Sequence, residues 1–399
     1  GRPDAGTLPG GKMAGKTPLT VADPTSDMTK PPTSPMTGGA DVHPARWWHA
    51  LADGRIQCDL CPRDCQLHPG QRGACFVRQH QDGRMVLTTW GRSSGFCIDP
   101  IEKKPLHHFY PGSSVLSFGT AGCNLTCKCC QNWDISRARD MDRLMDSATP
   151  DAIASAAVRH GADSVAYTYN DPVIFAEYAL DTAEACRARG IRNVAVTAGY
   201  LHAEPARAFF SRMDAANVDL KSFSEGFYRS QCCGRLQPVL DVLSYLHHDT
   251  ACWLEITTLL IPGLNDRPDE IRALSQWIAQ ALSPDIPLHF TAFHPDWRLR
   301  DRPNTPLATL QGARQLAREA GLQHVYLGNV RDPEGGVTHC PHCAQTLIRR
   351  DGYTIQDYAL TADGTCPHCQ TPLAGRFGAQ LGHAGQAFGA RRIPIRLQS

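Results

Sequence analysis

Phe118-Gly-Thr-Ala-Gly-Cys123-Asn-Leu-Thr-Cys127-Lys-Cys129-Cys130-Gln-Asn-Trp133 follows directly on the apolar run Val115–Phe118, so it reads as the loop leaving a strand of a parallel sheet. In folds of repeated β-α units, the loops at strand C-termini form the site face. This loop delivers three thiols at the spacing Cys123-x3-Cys127-x2-Cys130. A cubane iron–sulfur cluster takes one ligand per iron, normally four cysteines. Three from one loop leave one iron open to a non-protein ligand. The residues also allow a structural zinc knuckle that borrows Cys129 as a fourth ligand.

Outward from this loop the chain alternates regularly. Short β-branched or apolar runs fall at Val115–Phe118, Val165–Tyr169, Val194–Thr197, Val218–Leu220, Trp253–Leu260, Leu288–Phe293 and Val325–Leu327. Helical patterns lie between most of them, including Pro150–His160, Val173–Arg189, Pro268–Leu282 and Pro306–Ala320. Strand, helix, strand at this spacing implies right-handed crossovers and a parallel sheet. Without a Gly-x-Gly-x-x-Gly opening, the prediction is an α/β fold with a partial or full TIM-type (β/α) barrel over residues 111–335. Residues 1–43 are rich in Pro, Gly, Thr and Ser, too poor in apolar side chains to offset ordering entropy, and are expected to be a disordered tail. Residues 44–110 form an expected N-terminal Cys-rich module, and 336–399 a zinc-ribbon-like C-terminal module.

The other cysteines support this division. Of 17 in the chain, four lie at Cys58, Cys61, Cys65 and Cys75, and four at Cys340, Cys343, Cys366 and Cys369. Cys340-Pro-His-Cys343 and Cys366-Pro-His-Cys369, with 22 residues between them, have the spacing of a zinc ribbon. The first group binds either zinc or an auxiliary iron–sulfur cluster. Cys97, Cys186, Cys232, Cys233 and Cys252 read as small buried hydrophobes. The 399 residues carry 40 basic and 39 acidic side chains, a net charge of +1. Neither sign is in surplus, so nucleic acid is not an expected partner. No apolar stretch approaches the ~18 residues of a membrane span and no signal-like h-region opens the chain, so no membrane and a cytoplasmic location are expected.

Beyond the triplet, Asp99-Pro-Ile-Glu-Lys-Lys-Pro-Leu-His107-His-Phe-Tyr-Pro-Gly, Gln131-Asn-Trp-Asp-Ile-Ser136 and Tyr167-Thr-Tyr-Asn170-Asp171-Pro172 are distinctive. So are Val218-Asp219-Leu220-Lys221, Leu260-Ile-Pro-Gly-Leu-Asn265-Asp266, Phe293-His294-Pro295 and Val325-Tyr-Leu-Gly-Asn329. With them the sequence resembles the radical SAM superfamily. Within it, the sequence is similar to the pyruvate formate-lyase-activating-enzyme-like branch, in particular the AmmeMemoRadiSam system radical SAM enzymes. The resemblance runs from about Cys58 to at least Cys369.

The resemblance implies a [4Fe-4S] cluster on Cys123, Cys127 and Cys130, with S-adenosylmethionine on the open iron. Reductive cleavage then gives a 5′-deoxyadenosyl radical for hydrogen abstraction. Asn170 and Asp171 stand where relatives meet the methionyl amino group, a sensible place for a carboxylate acceptor. Asp219 and Lys221 match an Asp-Leu-Lys segment, His294 matches a histidine near the cofactor, and Thr197 and Gln131 face the same mouth; Asp171, Lys221 and His294 are the expected catalytic side chains. Two residues depart from the branch. Cys129 replaces an aromatic that packs by the adenine, and offers less stacking area and a competing thiol. Asp171 replaces a longer Glu. The implied partners are a reducing electron donor and companion proteins of the Memo and Amme types. Two other functions compete with this one: a glycyl-radical-enzyme activase and a non-catalytic zinc-binding interaction protein.

Overall fold

The computed structural model describes residues 42–136, 146–378 and 393–397. The expected tail lies outside them apart from Val42 and His43, as do residues 379–392 of the last module.

The central element is a nine-stranded sheet. In chain order β1 is Phe96–Pro100, β2 Ser114–Phe118, β3 Ser164–Tyr167, β4 Arg192–Thr197, β5 Ala215–Asp219, β6 Trp253–Leu260, β7 Leu288–Ala292, β8 Val325–Gly328 and β9 Ile393–Ile395. The spatial order is β8-β7-β6-β5-β4-β3-β2-β1-β9. Every pair from β2 to β8 is parallel. β1 pairs antiparallel with β2, and β9 with β1. All seven expected strand runs are strands to within three residues. β8 and β9 are the edges, and no strand pairing closes the sheet among the described residues, so the arrangement is the partial form of the expected architecture.

Six helices provide the crossovers: α1 Pro150–Arg159, α2 Ala176–Arg187, α3 Ala203–Phe210, α4 Gln237–Asp249, α5 Pro268–Trp277 and α6 Leu307–Glu319. α1 shows why they form where they do. Thr149 caps it by accepting from the Ala152 N–H at 3.2 Å, and Pro150 occupies its first turn, where no N–H is needed. Its Ile153, Ala154, Ala156 and Ala157 are buried against the sheet side. Strands β2 and β3 are buried at every position, the pattern of a sheet covered on both faces.

The N-terminal segment folds as two small antiparallel sheets, Arg78–Gln81 with Arg84–Leu87 and His43–Pro44, and Trp48–Ala50 with Ile56–Cys58 and Gln66–Leu67. It is joined to α2 by a buried ion pair. Arg78 Nη1 donates to both oxygens of Glu177, at 3.0 and 2.9 Å.

A second buried network joins the C-terminal module to the N-terminal ends of the strands. Glu255 accepts from the His107 and His108 backbone N–H groups at 3.0 and 2.7 Å, from Trp253 Nε1 at 3.0 Å and from His289 Nε2 at 2.6 Å. Tyr326 links His108 Nε2 to Thr338, and Arg350 Nη2 donates to the His107 carbonyl at 2.7 Å. Burial holds His107 well below the usual imidazole range, His108 at about 3 and His324 at about 4. These histidines stay neutral when folded but take up protons on unfolding near pH 6.5. Stability is therefore full above pH 6.5 and falls as the pH drops from there towards 4. Thermal melts should lose roughly 5–10 °C between pH 7 and pH 4.5, and His324→Phe should flatten that dependence. A wild-type melting temperature independent of pH over this range would refute the account.

Candidate functional site

The cysteine loop leaves β2 at the same end as the tips of β3, β4, β5, β6 and β7, and a cavity opens there. Cys123, Cys127, Cys129 and Cys130 line it, together with Gln131, Asn170, Asp171, Thr197, Asp219 and Lys221. The structure thus brings together every expected mouth residue but His294, which is exposed and does not line the cavity. Thr291, on β7, is the side chain from that strand that reaches it; beyond the strand end Phe293 turns into the core and His294 outward.

The loop is held by its neighbours rather than by regular structure. Asn170 Oδ1 accepts from the Thr120 N–H at 2.9 Å, and its Nδ2 donates to Thr120 Oγ1 at 3.2 Å and to the Gly122 carbonyl at 3.0 Å. Gly119 and Gly122 allow the close approach. A Cβ on the first would collide with the Thr168 carbonyl, and on the second, which has φ +83°, with the Cys75 carbonyl. On the other side the loop docks on a π-helical turn, Tyr228–Cys232. Thr126 N–H donates to the Cys232 carbonyl at 3.0 Å and Lys128 N–H to the Gln231 carbonyl at 2.9 Å. The Cys232 thiol is hydrogen-bonded with Cys127.

Cys232 is thus part of the site, which its sequence context does not reveal. Its neighbour Cys233 is exposed, correcting the expectation that both are buried. Cys97, Cys186 and Cys252 are buried as expected.

Burial disfavours thiolate here, and one cation opposes it. Burial pushes the thiols of Cys123 and Cys130 up, and that of Cys129 to about 12, so metal-free cysteines here are protonated. Lys221 Nζ lies 2.9 Å from Asp219 Oδ2. Burial alone would lower its pKa, but Asp219, Cys127 and Cys129 carry it well above the ordinary value. A fixed cation therefore stands beside the cysteines. Asp171 is buried and its carboxylate is hydrogen-bonded at both oxygens: Thr197 Oγ1 donates to Oδ1 at 2.6 Å and the Ala198 N–H to Oδ2 at 2.9 Å. It also caps the turn Pro172–Phe175. Burial raises its pKa against those hydrogen bonds.

Two cavity groups are left for a ligand: Gln131 Nε2 and Thr257 Oγ1 are buried without a hydrogen-bond partner among the described residues. Three thiols, a cation and unpartnered donors around one cavity fit an iron–sulfur cluster with a polar ligand beside it.

The C-terminal cysteines form a different kind of group. Cys340 and Cys369 Sγ are 3.5 Å apart, Cys343 and Cys366 Sγ 3.7 Å, and all four lie within 4.8 Å of one another. Four thiolates about 2.3 Å from one tetrahedral ion would be ~3.8 Å apart, so this set could hold a single ion.

Residues 118–275 match the model of the radical SAM superfamily. The chain is 39% identical over 326 residues to an uncharacterized protein of Methanocaldococcus jannaschii, covering 82% of this chain and 96% of that protein. Among solved structures, a domain of a pyruvate-formate lyase-activating enzyme from Bacteroides vulgatus is similar with TM-score 0.37 and 17% identity, over 42% of this chain and 99% of that one. A radical SAM methyltransferase from Sphaerobacter thermophilus gives TM-score 0.42 and 15% identity over 56% and 68% of the two chains. Among the described residues no helix is long and apolar enough to cross a membrane.

Proposed function

The chain belongs to the radical SAM superfamily, in one family with the Methanocaldococcus jannaschii protein, and from that premise we propose that it cleaves S-adenosylmethionine reductively to abstract hydrogen from a substrate. The observation that carries this reading is the convergence of Cys123, Cys127 and Cys130 with Lys221, Asp171 and two unpartnered polar groups on one cavity at the strand C-termini. When bound, a [4Fe-4S] cluster with one open iron supplies the electron for that cleavage.

The chain's own residues do the rest. Cys123, Cys127 and Cys130 hold the metal. Lys221 offsets thiolate charge, and Asn170 fixes the loop that carries the thiols. Asp171 orients Thr197 and Ala198 at the cavity wall and presents negative charge to an ammonium group. Gln131 and Thr257 offer hydrogen bonds to a carboxylate or hydroxyl. Cys129 lines the wall where the branch carries an aromatic, and His294, exposed outside the cavity, is left out of this reading. The C-terminal set holds zinc structurally, and action beside Memo-type and Amme-type companions in the cytoplasm completes the reading, with the electron donor and substrate to be found by experiment.

The test is anaerobic. Protein reconstituted with iron and sulfide, given S-adenosylmethionine and dithionite, should form 5′-deoxyadenosine, and iron-loaded protein that forms none would count against the reading. Asp171→Ala should keep wild-type iron content but bind S-adenosylmethionine at least about tenfold more weakly by equilibrium dialysis, the loss of one charge-assisted contact. Unchanged affinity would remove Asp171 from the site.

A further inference from the structure

Cys58, Cys61, Cys65 and Cys75, scattered over 18 residues of chain, close around one enclosed cavity. Three of them are buried and Cys65 is half-buried. A Cβ placed on Gly73, at the wall, would lie 3.8 Å from the Sγ of both Cys65 and Cys75, so these two sulfurs flank the same point of the wall. Arg78, 1% exposed, also lines the cavity. Its two terminal nitrogens are taken by Glu177 and the Arg46 carbonyl, while its Nε–H has no nitrogen or oxygen partner among the described residues and the Cys58 sulfur lies within the guanidinium's reach. A guanidinium N–H buried beside sulfur and otherwise unsatisfied is costly unless a thiolate accepts from it.

The size of the group that fits is set by comparison within the molecule. Sulfurs gathered on one zinc ion nearly touch, as the C-terminal four do, and leave no void between them. Among the described residues only that C-terminal set brings three or more ligand atoms within 4.8 Å of one another. No three sulfurs of Cys58, Cys61, Cys65 and Cys75 come within 4.8 Å of one another, although all four residues line one small cavity, and the same holds for the three on the β2 loop. Wider separation is what a multi-iron core needs, because each thiolate binds a different iron. We propose that Cys58, Cys61, Cys65 and Cys75 hold a second iron–sulfur cluster, a four-iron core ligated by all four thiolates, with Arg78 Nε–H donating to ligand sulfur. On assembly the four thiols each release a proton and each thiolate forms one bond to one iron.

This site is not remote from the first. Arg63 Nε donates at 2.8 Å to the carbonyl of Asn124, the residue after Cys123, and the Asn124 side chain lines the second cavity. The Cys75 carbonyl packs on Gly122 of the same loop. One stretch of backbone therefore forms a wall of both cavities.

The test removes the first site and counts what is left. The variant Cys123→Ala/Cys127→Ala/Cys130→Ala, reconstituted anaerobically with iron and sulfide, should retain about four irons and four sulfides per chain and give a paramagnetic signal on dithionite reduction. Adding Cys61→Ser and Cys75→Ser should abolish both iron and signal, with circular dichroism and C-terminal metal content as controls for folding. Two irons, zinc without iron, or no metal in the triple variant would overturn the proposal, as would iron that survives the added serines. The reading of the first site stands or falls separately, on 5′-deoxyadenosine formed by the wild type.

Discussion

Cys127→Ala is expected to abolish 5′-deoxyadenosine formation. Of the four thiols of the β2 loop, three stand at the metal-binding spacing, and Cys127 is the middle one of these. Cys129 lines the same cavity but stands outside the Cys-x3-Cys-x2-Cys spacing, and Cys232, though hydrogen-bonded with Cys127, sits on a separate turn. Recruiting either means moving backbone that is tied down by the Thr126 and Lys128 hydrogen bonds. The loss should exceed the ~10–100-fold typical of residues that merely support a ligand. Iron should fall together with product, while the melting temperature of metal-free protein should stay within a few degrees of wild type. Activity retained above about a tenth would mean that a neighbouring thiol takes over, and the double variant Cys127→Ala/Cys129→Ala would show whether it is Cys129.

The second large effect concerns the opposite end of the strands. Glu255→Ala should lower the free energy of unfolding by about 3–5 kcal/mol, the range for breaking a buried charged pair. The carboxylate is inaccessible to water and accepts from two backbone N–H groups, an indole and an imidazole. Its removal strands all four donors in a site that water does not reach. Glu255→Gln keeps one acceptor oxygen and should lose less. Urea midpoints at an unchanged slope would measure this directly. A shift worth under about 1 kcal/mol would show that the donors find other partners.

The strands were legible because their apolar runs are continuous, as buried parallel strands require, and because proline or capping threonine marks the helix starts. β1 was not, since Phe96-Cys-Ile-Asp-Pro100 carries a charge and a proline. In the structure Asp99 is stabilised there by Lys104 at 2.7 Å, a partner that no periodicity announces. That Cys123, Cys127, Cys129 and Cys130 gather on one loop at a strand end is visible from spacing, and the structure brings all four to one cavity. Asn170 and Asp171 were placed at the mouth by resemblance, but the clasp that Asn170 makes on Thr120 and Gly122 depends on how β2 and β3 pair, which local sequence does not encode. Cys232 was missed for the same reason: it is 105 residues from Cys127 in the chain, and only the π-helical turn brings it back. His294 follows the residue rule of its motif but not the alternation of side chains past β7.

The clasp has a consequence for how the metal arrives. A flexible loop of a dozen residues that must be ordered by its cofactor sets about 1–2 kcal/mol per residue of lost freedom against the binding energy. Here Asn170, the Cys232 and Gln231 carbonyls and the crowded Gly122 order the segment as part of chain folding, so that cost is met before any iron is present. Iron therefore meets a loop that is already largely shaped, and less of the energy of the metal–sulfur bonds is spent on ordering it.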